Sequence, residues 1–427
     1  MAALGSLLAI VLATPAGAQD AVPLPVSTTV MGSHFYDLTV SAYSLPQATA
    51  SVTHVRGSEM LVLGADAGFL TPEEAGSAPN PTMLGGTTLA YPVGTFDATA
   101  GAYRGLGLVD LTPRVGAGSR VRILDFQVFP DAPRAPAGRV RAFVSAATIN
   151  PSTGCRSMTV FEVIVDTSGR GGNRVGRTWF RLPCIFGCPA TSQGPILHQS
   201  GGRIQFRAAA GEQPDAIVVT TGDFQVLAPR AAVRPGVRRL LSSVIVVTRR
   251  GDSTRITTGL RNPQGLASVV LDGQATLVAT SHGPRGGDEF VRVTANADYG
   301  WPRYSYGTAY GTGEGQQFSQ PGTPGTKGPS DRPLYAWVPS VGASTLLQVR
   351  PGAFGRWWTH GGRKGSGDLL VAGLATKSLY RLRWEDGAVR YVEAIPVAHR
   401  IRSLAQADDG TIVAGTDEGV VLRITPV

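Results

Sequence analysis

A histidine in a glycine-rich loop is the first residue of this sequence whose type and setting suit catalysis. His198 lies in Leu-His-Gln-Ser-Gly-Gly-Arg (197–203), shortly before a strand-like run at 204–206. An imidazole exchanges its proton near neutral pH, so a histidine at the end of a strand can act as a general base. A surface histidine in a turn is the simpler interpretation of the same residue. His198 is therefore a candidate base.

A second cluster combines Arg261, Asn262 and Gln264 near one turn. Guanidinium and amide groups are fork-shaped, and they can recognise a planar ligand that carries carbonyl and carboxylate oxygens. The alternative is a network that only stabilises the turn, because Asn262-Pro263 is itself a turn signal.

A third cluster is typical of a site for a hard cation. Gly283 and Pro284 form a turn, and Asp288, Glu289 and Tyr299 follow it. Backbone carbonyls and carboxylates are the oxygen ligands that Ca²⁺ prefers, although the spacing is not that of an EF-hand. The cluster makes Gly283, Pro284, Glu289 and Tyr299 candidate calcium ligands.

A fourth cluster consists of cations. Lys377 follows one strand-like run, and Arg400 and Arg402 precede the next. If the loops at one end of these strands converge, the three cations can bind an anion that has several carboxylates. Solvated surface charge is the alternative for each residue taken alone.

These residues are spaced along a repeated pattern of short strands. Runs of Leu, Ile and Val that end in small residues are followed in several cases by a second strand-like run, which gives a strand–turn–strand unit repeated about six times. Such repetition predicts an all-β, six-bladed β-propeller, with the first run of each unit as the inner strand. A β-sandwich or two stacked domains is the alternative. The first runs are 59–64, 140–146, 216–222, 275–280, 368–373 and 411–415, and the second runs are 161–165, 290–293, 379–384 and 420–424.

The ends and insertions of the chain set the predicted domain boundaries. An apolar run at 4–13 followed by Ala-Gly-Ala at 16–18 predicts a signal peptide over 1–18, with an N-terminal membrane anchor as the alternative. Residues 19–427 then form a single propeller domain, with a long loop insertion near 303–333. The mature protein is expected to be periplasmic or secreted, without stable membrane insertion.

Charge and cysteine content limit the partners. The formal net charge is +9, but the arginines are scattered rather than concentrated in a basic run, so nucleic-acid binding is not expected. Three cysteines, Cys155, Cys184 and Cys188, predict one disulfide and one free thiol in an oxidising compartment. The sequence leaves the pairing open.

Taken together, the motifs resemble the soluble dehydrogenases for aldoses (glucose and sorbosone) that depend on pyrroloquinoline quinone (PQQ). The resemblance rests on Arg-Asn-Pro-Gln-Gly (261–265), Gly-Pro-Arg-Gly-Gly-Asp-Glu (283–289) and Tyr-Gly-Trp-Pro (299–302), and it extends over 198–427. It implies a six-bladed propeller that binds PQQ and Ca²⁺ and oxidises a sugar by hydride transfer to the quinone. Because the chain lacks a Cys-x-x-Cys-His haem motif, the resemblance implies an external electron acceptor.

The resemblance also implies roles for individual residues. His198 is the expected base, although alignment on Arg203 would place Gln199 at that position instead. Arg261 is expected to polarise a quinone oxygen, and the Gly283 and Pro284 carbonyls to hold the Ca²⁺ next to the cofactor. The remaining implied roles are cofactor binding by Asn262, Gln264, Ser340, Lys377, Arg400 and Arg402, a further Ca²⁺ near Glu289 and Tyr299, and substrate contact by Tyr335 and Trp337.

Two other functions fit the same predicted fold. A non-catalytic propeller that binds a ligand or protein could retain the fold and the Ca²⁺. A Ca²⁺-dependent hydrolase could use His198 as its base, but it would leave Lys377, Arg400 and Arg402 without a role.

Overall fold

The computed structural model describes thirteen segments of the chain. The proposed signal segment, Cys188 and most of the 303–333 insertion lie outside them. The described residues are 21–24, 26–33, 36–45, 49–64, 89–116, 119–129, 138–150, 152–185, 197–207, 216–226, 235–308, 331–359 and 367–427.

Nearly all regular structure in these segments is β-strand, with three short helices. The strands are β1 (Val22–Pro23), β2 (Val26–Ser33), β3 (Tyr36–Ser44), β4 (Thr49–Arg56), β5 (Glu59–Gly64), β6 (Ala90–Asp97), β7 (Ala102–Asp110), β8 (Arg120–Val128), β9 (Arg139–Asn150), β10 (Cys155–Asp166), β11 (Arg174–Arg181), β12 (Gly201–Arg207), β13 (Ala216–Thr221), β14 (Ser243–Thr248), β15 (Ser253–Thr257), β16 (Asn262–Leu271), β17 (Gln274–His282), β18 (Asp288–Arg292), β19 (Tyr335–Trp337), β20 (Ala343–Gln348), β21 (Leu369–Gly373), β22 (Ser378–Glu385), β23 (Ala388–Pro396), β24 (Ile401–Gln406), β25 (Ile412–Thr416) and β26 (Val420–Pro426). The helices are α1 (Thr112–Val115), α2 (Pro235–Arg238) and α3 (Gly355–Thr359).

The strands form six antiparallel sheets arranged as the blades of a β-propeller, which confirms the predicted fold. Blade 1 is β4–β5–β6–β7–β1, blade 2 is β8 to β11, blade 3 is β12 to β15, blade 4 is β16 to β19, and blade 5 is β20 to β23. Blade 6 is β24–β25–β26–β3–β2. The innermost strands β4, β8, β12, β16, β20 and β24 each contact the next, and β24 contacts β4, so the ring is closed.

Two early strands, β2 and β3, and the last strand of the described chain meet in blade 6. The C-terminal strand β26 pairs antiparallel with β3, with Leu422 opposite Ala42. The pairing gives β26 a partner on both sides, so its backbone groups are not left as an open sheet edge. It also ties strands from the two ends of the chain's strand order, β3 and β26, into one sheet.

The predicted strand repeat is confirmed, but the position of the repeated runs within each blade was wrong. The runs taken as inner strands, such as 59–64 and 368–373, correspond to the second strand of each blade. A second strand is covered by neighbouring blades on both faces and therefore reads as a continuous apolar run: every residue of β13 and β21 is buried. The innermost strands carry buried polar residues instead, among them Ser51, Asp125, Arg203 and Ser403.

Hydrophobic clusters fill the spaces between blades. In one of them Phe143 and Met158 of blade 2 pack with Ile217 and Ile245 of blade 3. Another joins blade 4 to blade 5, and a third joins blade 5 to blade 6. The core is therefore a set of wedges between sheets, and the polar ends of the strands are left to the two faces of the ring.

An arginine on the innermost strand of blade 3 connects four blades. Arg203 is only 6% exposed. Its Nη1 donates to Oδ1 of Asp125 in blade 2 (3.2 Å), its Nε to the carbonyl of Gln264 in blade 4 (2.5 Å), and its Nη2 to the carbonyl of Arg402 in blade 6 (2.6 Å). The arginine that ends the His198 motif is thus part of the structural centre of the ring.

A disulfide joins two segments of blade 2. Cys155 at the start of β10 bonds to Cys184, which follows β11, with 5.2 Å between their Cα atoms. The prediction of one disulfide is confirmed, and the structure supplies the pairing. No helix within the described residues is long and apolar enough to cross a membrane.

Candidate cofactor site

A cavity of about 740 Å³ opens where turns of blades 4, 5 and 6 meet. This size is in the range of sites that bind small molecules and cofactors. The walls come from the turns after β17, β19, β21 and β23, so the loops at one face of the ring do converge. The lining residues are His282, Gly283, Pro284, Arg285, Gly286, Tyr306, Thr308, Val338, Pro339, Ser340, Gly342, Leu374, Ala375 and Arg400.

The walls of the cavity are held together by Asp288, which is fully buried. Its Oδ2 accepts the backbone N–H groups of residues 341 (3.0 Å), 342 (2.6 Å) and 343 (2.9 Å). Its Oδ1 accepts the N–H of Gly283 (2.9 Å) and the hydroxyl of Ser340. The carboxylate therefore connects the two turns on either side of the cavity. The Ser340 hydroxyl, predicted to bind cofactor, donates to this carboxylate at the cavity wall.

The turn at 283–287 is packed so tightly that it requires glycine. A Cβ on Gly283 would lie 2.3 Å from the carbonyl oxygen of Gly286 and 2.4 Å from that of Gly287. Real Cβ atoms do not approach oxygen that closely. The same packing brings several backbone carbonyls together, as a site for a hard cation requires.

Arg261 lies beside this turn and is 8% exposed. Its Nη1 donates to the Gly283 carbonyl (2.6 Å), and its guanidinium carbon lies 5.4 Å from the centre of the Trp301 ring. The predicted cofactor-polarising cation and one predicted calcium ligand are therefore in direct contact.

The imidazole that lines the cavity is His282, which sequence analysis did not select. Its Nε2 is buried and has no hydrogen-bond partner among the described residues. Burial lowers the pKa of His282 to about 4; Asp288 opposes the shift, and Arg261, Arg402 and Arg400 add to it. The ring is therefore neutral at physiological pH. A buried polar atom without a partner in a cavity wall indicates a ligand contact.

Two predicted cofactor ligands share one carboxylate. Nε of Arg400 contacts Oδ2 of Asp417 (3.0 Å), and Nε of Arg402 contacts Oδ1 (2.6 Å). Burial raises the pKa of Asp417, but the charges of Arg402 and Arg400 outweigh it and leave the pKa below its usual value. Arg402 also donates to Oε1 of Gln264 (3.3 Å). Arg400 lines the cavity, with Arg402 and Gln264 beside it, while Lys377 is exposed on the β21–β22 turn.

The family comparison agrees with this geometry. Residues 244–423 match the family described as glucose/sorbosone dehydrogenase. The resemblance to this family predicted from the sequence is confirmed over these residues. The match begins in blade 3 and includes Arg261, the 283–287 turn, Arg400 and Arg402, whereas His198 lies before it.

Curated relatives match over a similar length. An uncharacterized protein of Synechocystis sp. is 31% identical over 170 residues, which are 39% of this chain and 37% of the relative. The aldose sugar dehydrogenase YliI of Escherichia coli is 27% identical over 177 residues, which are 39% of this chain and 43% of the relative. The matched region thus spans about two fifths of these relatives.

Solved structures share the fold over nearly the whole chain. The soluble aldose sugar dehydrogenase of Escherichia coli gives a TM-score of 0.60 at 20% identity, covering 91% of this chain and 100% of that one. The PQQ-bound aldose sugar dehydrogenase of Streptomyces coelicolor gives 0.56 at 18% identity, covering 95% and 99%. At these identities the comparison establishes the propeller fold shared with members of the dehydrogenase family.

The loop that carries His198 is fixed against the matched region. The N–H of Gly201 donates to Oδ1 of Asn262 (3.1 Å), and the carbonyl of Gln199 accepts the N–H of Phe224 (3.0 Å). Gln199 has a left-handed backbone, with φ of 57°. Neither His198 nor Gln199 is among the residues that line the 740 Å³ cavity. The choice of either residue as the base remains a prediction.

The proposed second calcium ligands line a much smaller cavity of about 10 Å³, next to Arg261. Such a volume holds about one water molecule. The Tyr299 hydroxyl donates to the carbonyl of Arg292 (2.6 Å), and burial, with the charges of Asp331 and Glu289, raises the pKa of Tyr299 to about 12. Tyr299 is thus a neutral phenol whose proton is already donated. No cluster of three or more His, Cys, Asp or Glu side chains suited to a metal occurs among the described residues.

The predicted substrate contacts Tyr335 and Trp337 lie on β19, the outermost strand of blade 4. Trp337 is 5% exposed and packs edge-on against Tyr335 (ring centres 4.9 Å apart) and Tyr380 (6.0 Å) within the core between blades 4 and 5. The cavity is lined by the residues that follow them, including Val338 and Pro339, and not by these two aromatic rings. Their contact with substrate stays a prediction.

Proposed function

We propose that this protein is a PQQ-dependent dehydrogenase that oxidises an aldose sugar or a related alcohol and passes the electrons to an external acceptor. The observation that carries the proposal is the neutral His282, whose Nε2 has no hydrogen-bond partner within the described segments, in a cavity with arginines around it. The match of residues 244–423 to the glucose/sorbosone dehydrogenase family supports it.

The donor set of the cavity fits the cofactor. PQQ is a planar anion with three carboxylates, and Arg400 lines the cavity while Arg261 and Arg402 lie close enough to lower the pKa of His282. Guanidinium groups bind carboxylates well because two N–H groups can point at two oxygens. The Nε2 of His282, which no described residue contacts by a hydrogen bond, adds a hydrogen-bonding group for a cofactor oxygen or nitrogen. Lys377 is the outermost of the predicted cations.

When bound, the cofactor supplies the acceptor for the hydride of the sugar. The Arg261 guanidinium would stabilise negative charge that develops on a quinone oxygen, and its burial makes this stabilisation larger than it is in water. His198 would accept the proton of the sugar hydroxyl, and removal of such a base costs about 10²–10⁴ in rate. Asn262 would hold the His198 loop against blade 4 through Gly201.

Calcium is part of the proposal. The carbonyls of Gly283 and Pro284 would hold a Ca²⁺ next to the cofactor. A carbonyl oxygen has two lone pairs, so the Gly283 oxygen can accept a hydrogen bond from Arg261 and also coordinate the ion. A further Ca²⁺ near Glu289 and Tyr299 would have to be coordinated by the lone pairs of the phenol oxygen, because its proton is donated.

Reconstitution tests this function. Purified protein is titrated with PQQ and Ca²⁺ while the quinone absorbance is followed, and dye-linked oxidation is then measured across a panel of aldoses. We expect saturable binding and turnover, with both reduced in Arg261→Gln and turnover alone lost in His198→Ala. Arg303→Gln, an exposed arginine outside the cavity lining, is the matched control. Absence of both binding and turnover would refute the proposal.

One observation favours a second function, a propeller that binds the ligand without turnover. Neither His198 nor Gln199 lines the described cavity. Saturable PQQ binding with no oxidation of any sugar, unchanged by His198→Ala, would support this function over the dehydrogenase.

We also propose that the protein is exported by cleavage of residues 1–18 and acts in the periplasm or outside the cell. The Cys155–Cys184 disulfide is consistent with an oxidising compartment. N-terminal sequencing of the mature protein should begin at Gln19, and recovery of a full-length, uncleaved chain would contradict the export signal.

A further inference from the structure

A buried acid behind the cavity is not used by the proposed chemistry. Asp223 lies just after β13 and is 1% exposed. Its Oδ1 accepts the N–H of Gln225 (2.9 Å), and its Oδ2 accepts the indole N–H of Trp301 (3.0 Å). Burial raises the pKa of Asp223 to about 6, and the charge of Arg261 opposes that shift. A carboxyl kept in such a place at this cost calls for an explanation.

Its partner Trp301 connects this acid to Arg261. The guanidinium carbon of Arg261 lies 5.4 Å from the centre of the indole ring, within the range of a cation–π contact. The main chain that carries the ring is also fixed, because the backbone N–H of Trp301 donates to the carbonyl of Gly259 (3.0 Å). With the indole N–H bound to a carboxylate, the ring cannot turn about its side-chain bonds without breaking that hydrogen bond.

Asp223 contacts Arg261 through the backbone as well. The N–H of Asp223 donates to the carbonyl of Arg261 (2.9 Å). Asp223 therefore fixes the main chain of Arg261 through its own backbone N–H. Its carboxylate fixes the indole ring of Trp301, which lies against the Arg261 guanidinium. The Nη1 of the same guanidinium donates to the Gly283 carbonyl at 2.6 Å.

We propose that Asp223 is a positioning residue that, through Trp301, holds the Arg261 guanidinium against the Gly283 turn at the cofactor site. The role in the reaction rests on the proposed function, but the placement of Arg261 does not. Without the carboxylate, the indole loses the charged acceptor that fixes its orientation, so the flat surface under Arg261 is held less firmly in one position. An arginine that points correctly only part of the time polarises a cofactor oxygen correspondingly less.

The chain contains a matched control for the same chemistry. Trp384 donates its indole N–H to Oδ2 of Asp272 (2.9 Å), at a position where neither residue lines the cavity. Asp272→Asn, which leaves only a neutral amide oxygen as acceptor, and Trp384→Phe, which removes the indole N–H, thus weaken or remove an equivalent hydrogen bond away from the site.

The test compares Asp223→Asn, Trp301→Phe and the double variant with these controls. We expect each single variant to weaken PQQ binding and to lower kcat by about 10-fold or more, with little change in the KM for sugar. The double variant should be no worse than the more affected single variant, because both break the same connection. Multiplied effects in the double variant, or equal losses in the Asp272 and Trp384 variants, would overturn the proposal.

A crystal structure of Asp223→Asn gives a readout that needs neither cofactor nor turnover. We expect the Arg261–Gly283 hydrogen bond to be broken or split between conformers. An Arg261 side chain in its original place, in a variant with reduced activity, would show that Asp223 acts by another route. If Asp223→Asn does not fold, the same structure is determined for Trp301→Phe. If the wild-type protein binds no PQQ, the proposed function fails while this structural outcome still decides the positioning role.

Discussion

Replacing Arg203 with methionine should destabilise the whole ring, because this one side chain connects blades 2, 3, 4 and 6. Methionine keeps much of the length and apolar stem of arginine but has no N–H groups. The change leaves the buried carboxylate of Asp125 without its cation and takes from the carbonyls of Gln264 and Arg402 the hydrogen bonds that Arg203 donates. Asp125 retains the backbone N–H groups of Ile204 and Phe126.

The expected loss follows from burial of the pair. Breaking a buried ion pair by removing one partner costs about 3–5 kcal/mol, because the remaining charge stays buried. An unfolding entropy of about 2.1 cal/mol/K per residue gives roughly 0.9 kcal/mol/K for a chain of 427 residues. The melting temperature should therefore fall by about 3–6 °C.

Calorimetry of three variants checks this reasoning. Arg203→Met is compared with the double variant Asp125→Asn/Arg203→Met, which removes both charges and should recover part of the loss. The control is Arg303→Met, which breaks an exposed pair with Asp298 and should shift the melting temperature by less than about 1 °C. A shift for Arg203→Met as small as that of the control would refute the view that Arg203 holds the blades together.

Three further predictions concern other parts of the molecule. Replacing both cysteines of the blade 2 disulfide with serine should cost about 3–4 kcal/mol, since they are 29 residues apart, and calorimetry should show a melting temperature lower by about 3–4 °C. Burial lowers the pKa of His282 from 6.5 to about 4, so its contribution to stability should rise with pH between 4 and 6.5. Burial raises the pKa of Asp223 from 3.8 to about 6, so its contribution should fall as pH rises from 3.8 to 6. In the wild type these two contributions nearly cancel between pH 4 and 6.5. Over that range Asp223→Asn should therefore make the melting temperature rise more with pH than in the wild type, and His282→Gln should make it fall relative to the wild type; unchanged profiles would contradict both shifts. Gly222→Ala would place a Cβ 1.9 Å from the Gln199 carbonyl oxygen, so it should displace the His198 loop. Turnover should then fall more than PQQ affinity. Equal losses of turnover and affinity would contradict a role for that loop in the chemical step alone.

Much of the fold could be predicted because each repeat leaves its own local pattern. A second strand that is covered on both faces is mostly apolar where it is buried, and a short run of this kind marks each of the six blades. The identity of the inner strands could not be read in this way. An innermost strand such as β12 carries Arg203, whose charge is compatible with burial only because Asp125 and two carbonyls from other blades surround it.

The candidate site was predictable only where one segment carries several of its residues. Arg261 and the 283–284 turn belong to contiguous motifs, and the structure brings them into contact. Asp288 and Asp417 were not recognised as organising residues, because their roles consist of hydrogen bonds to turns distant in sequence. His282 was overlooked although it directly precedes the Gly-Pro turn, and its missing partner is visible only in three dimensions.

The sequence by itself determined the all-β repeat and the local chemistry of the 259–302 region, since strand periodicity and turn motifs depend on neighbours along the chain. The tertiary structure decided which side chains meet. It paired Cys155 with Cys184, joined β26 to β3, turned Ser340 toward Asp288, packed Trp337 into the core and placed Trp301 between Asp223 and Arg261. These outcomes depend on the closure of the ring, which brings together residues from different blades that no local pattern relates.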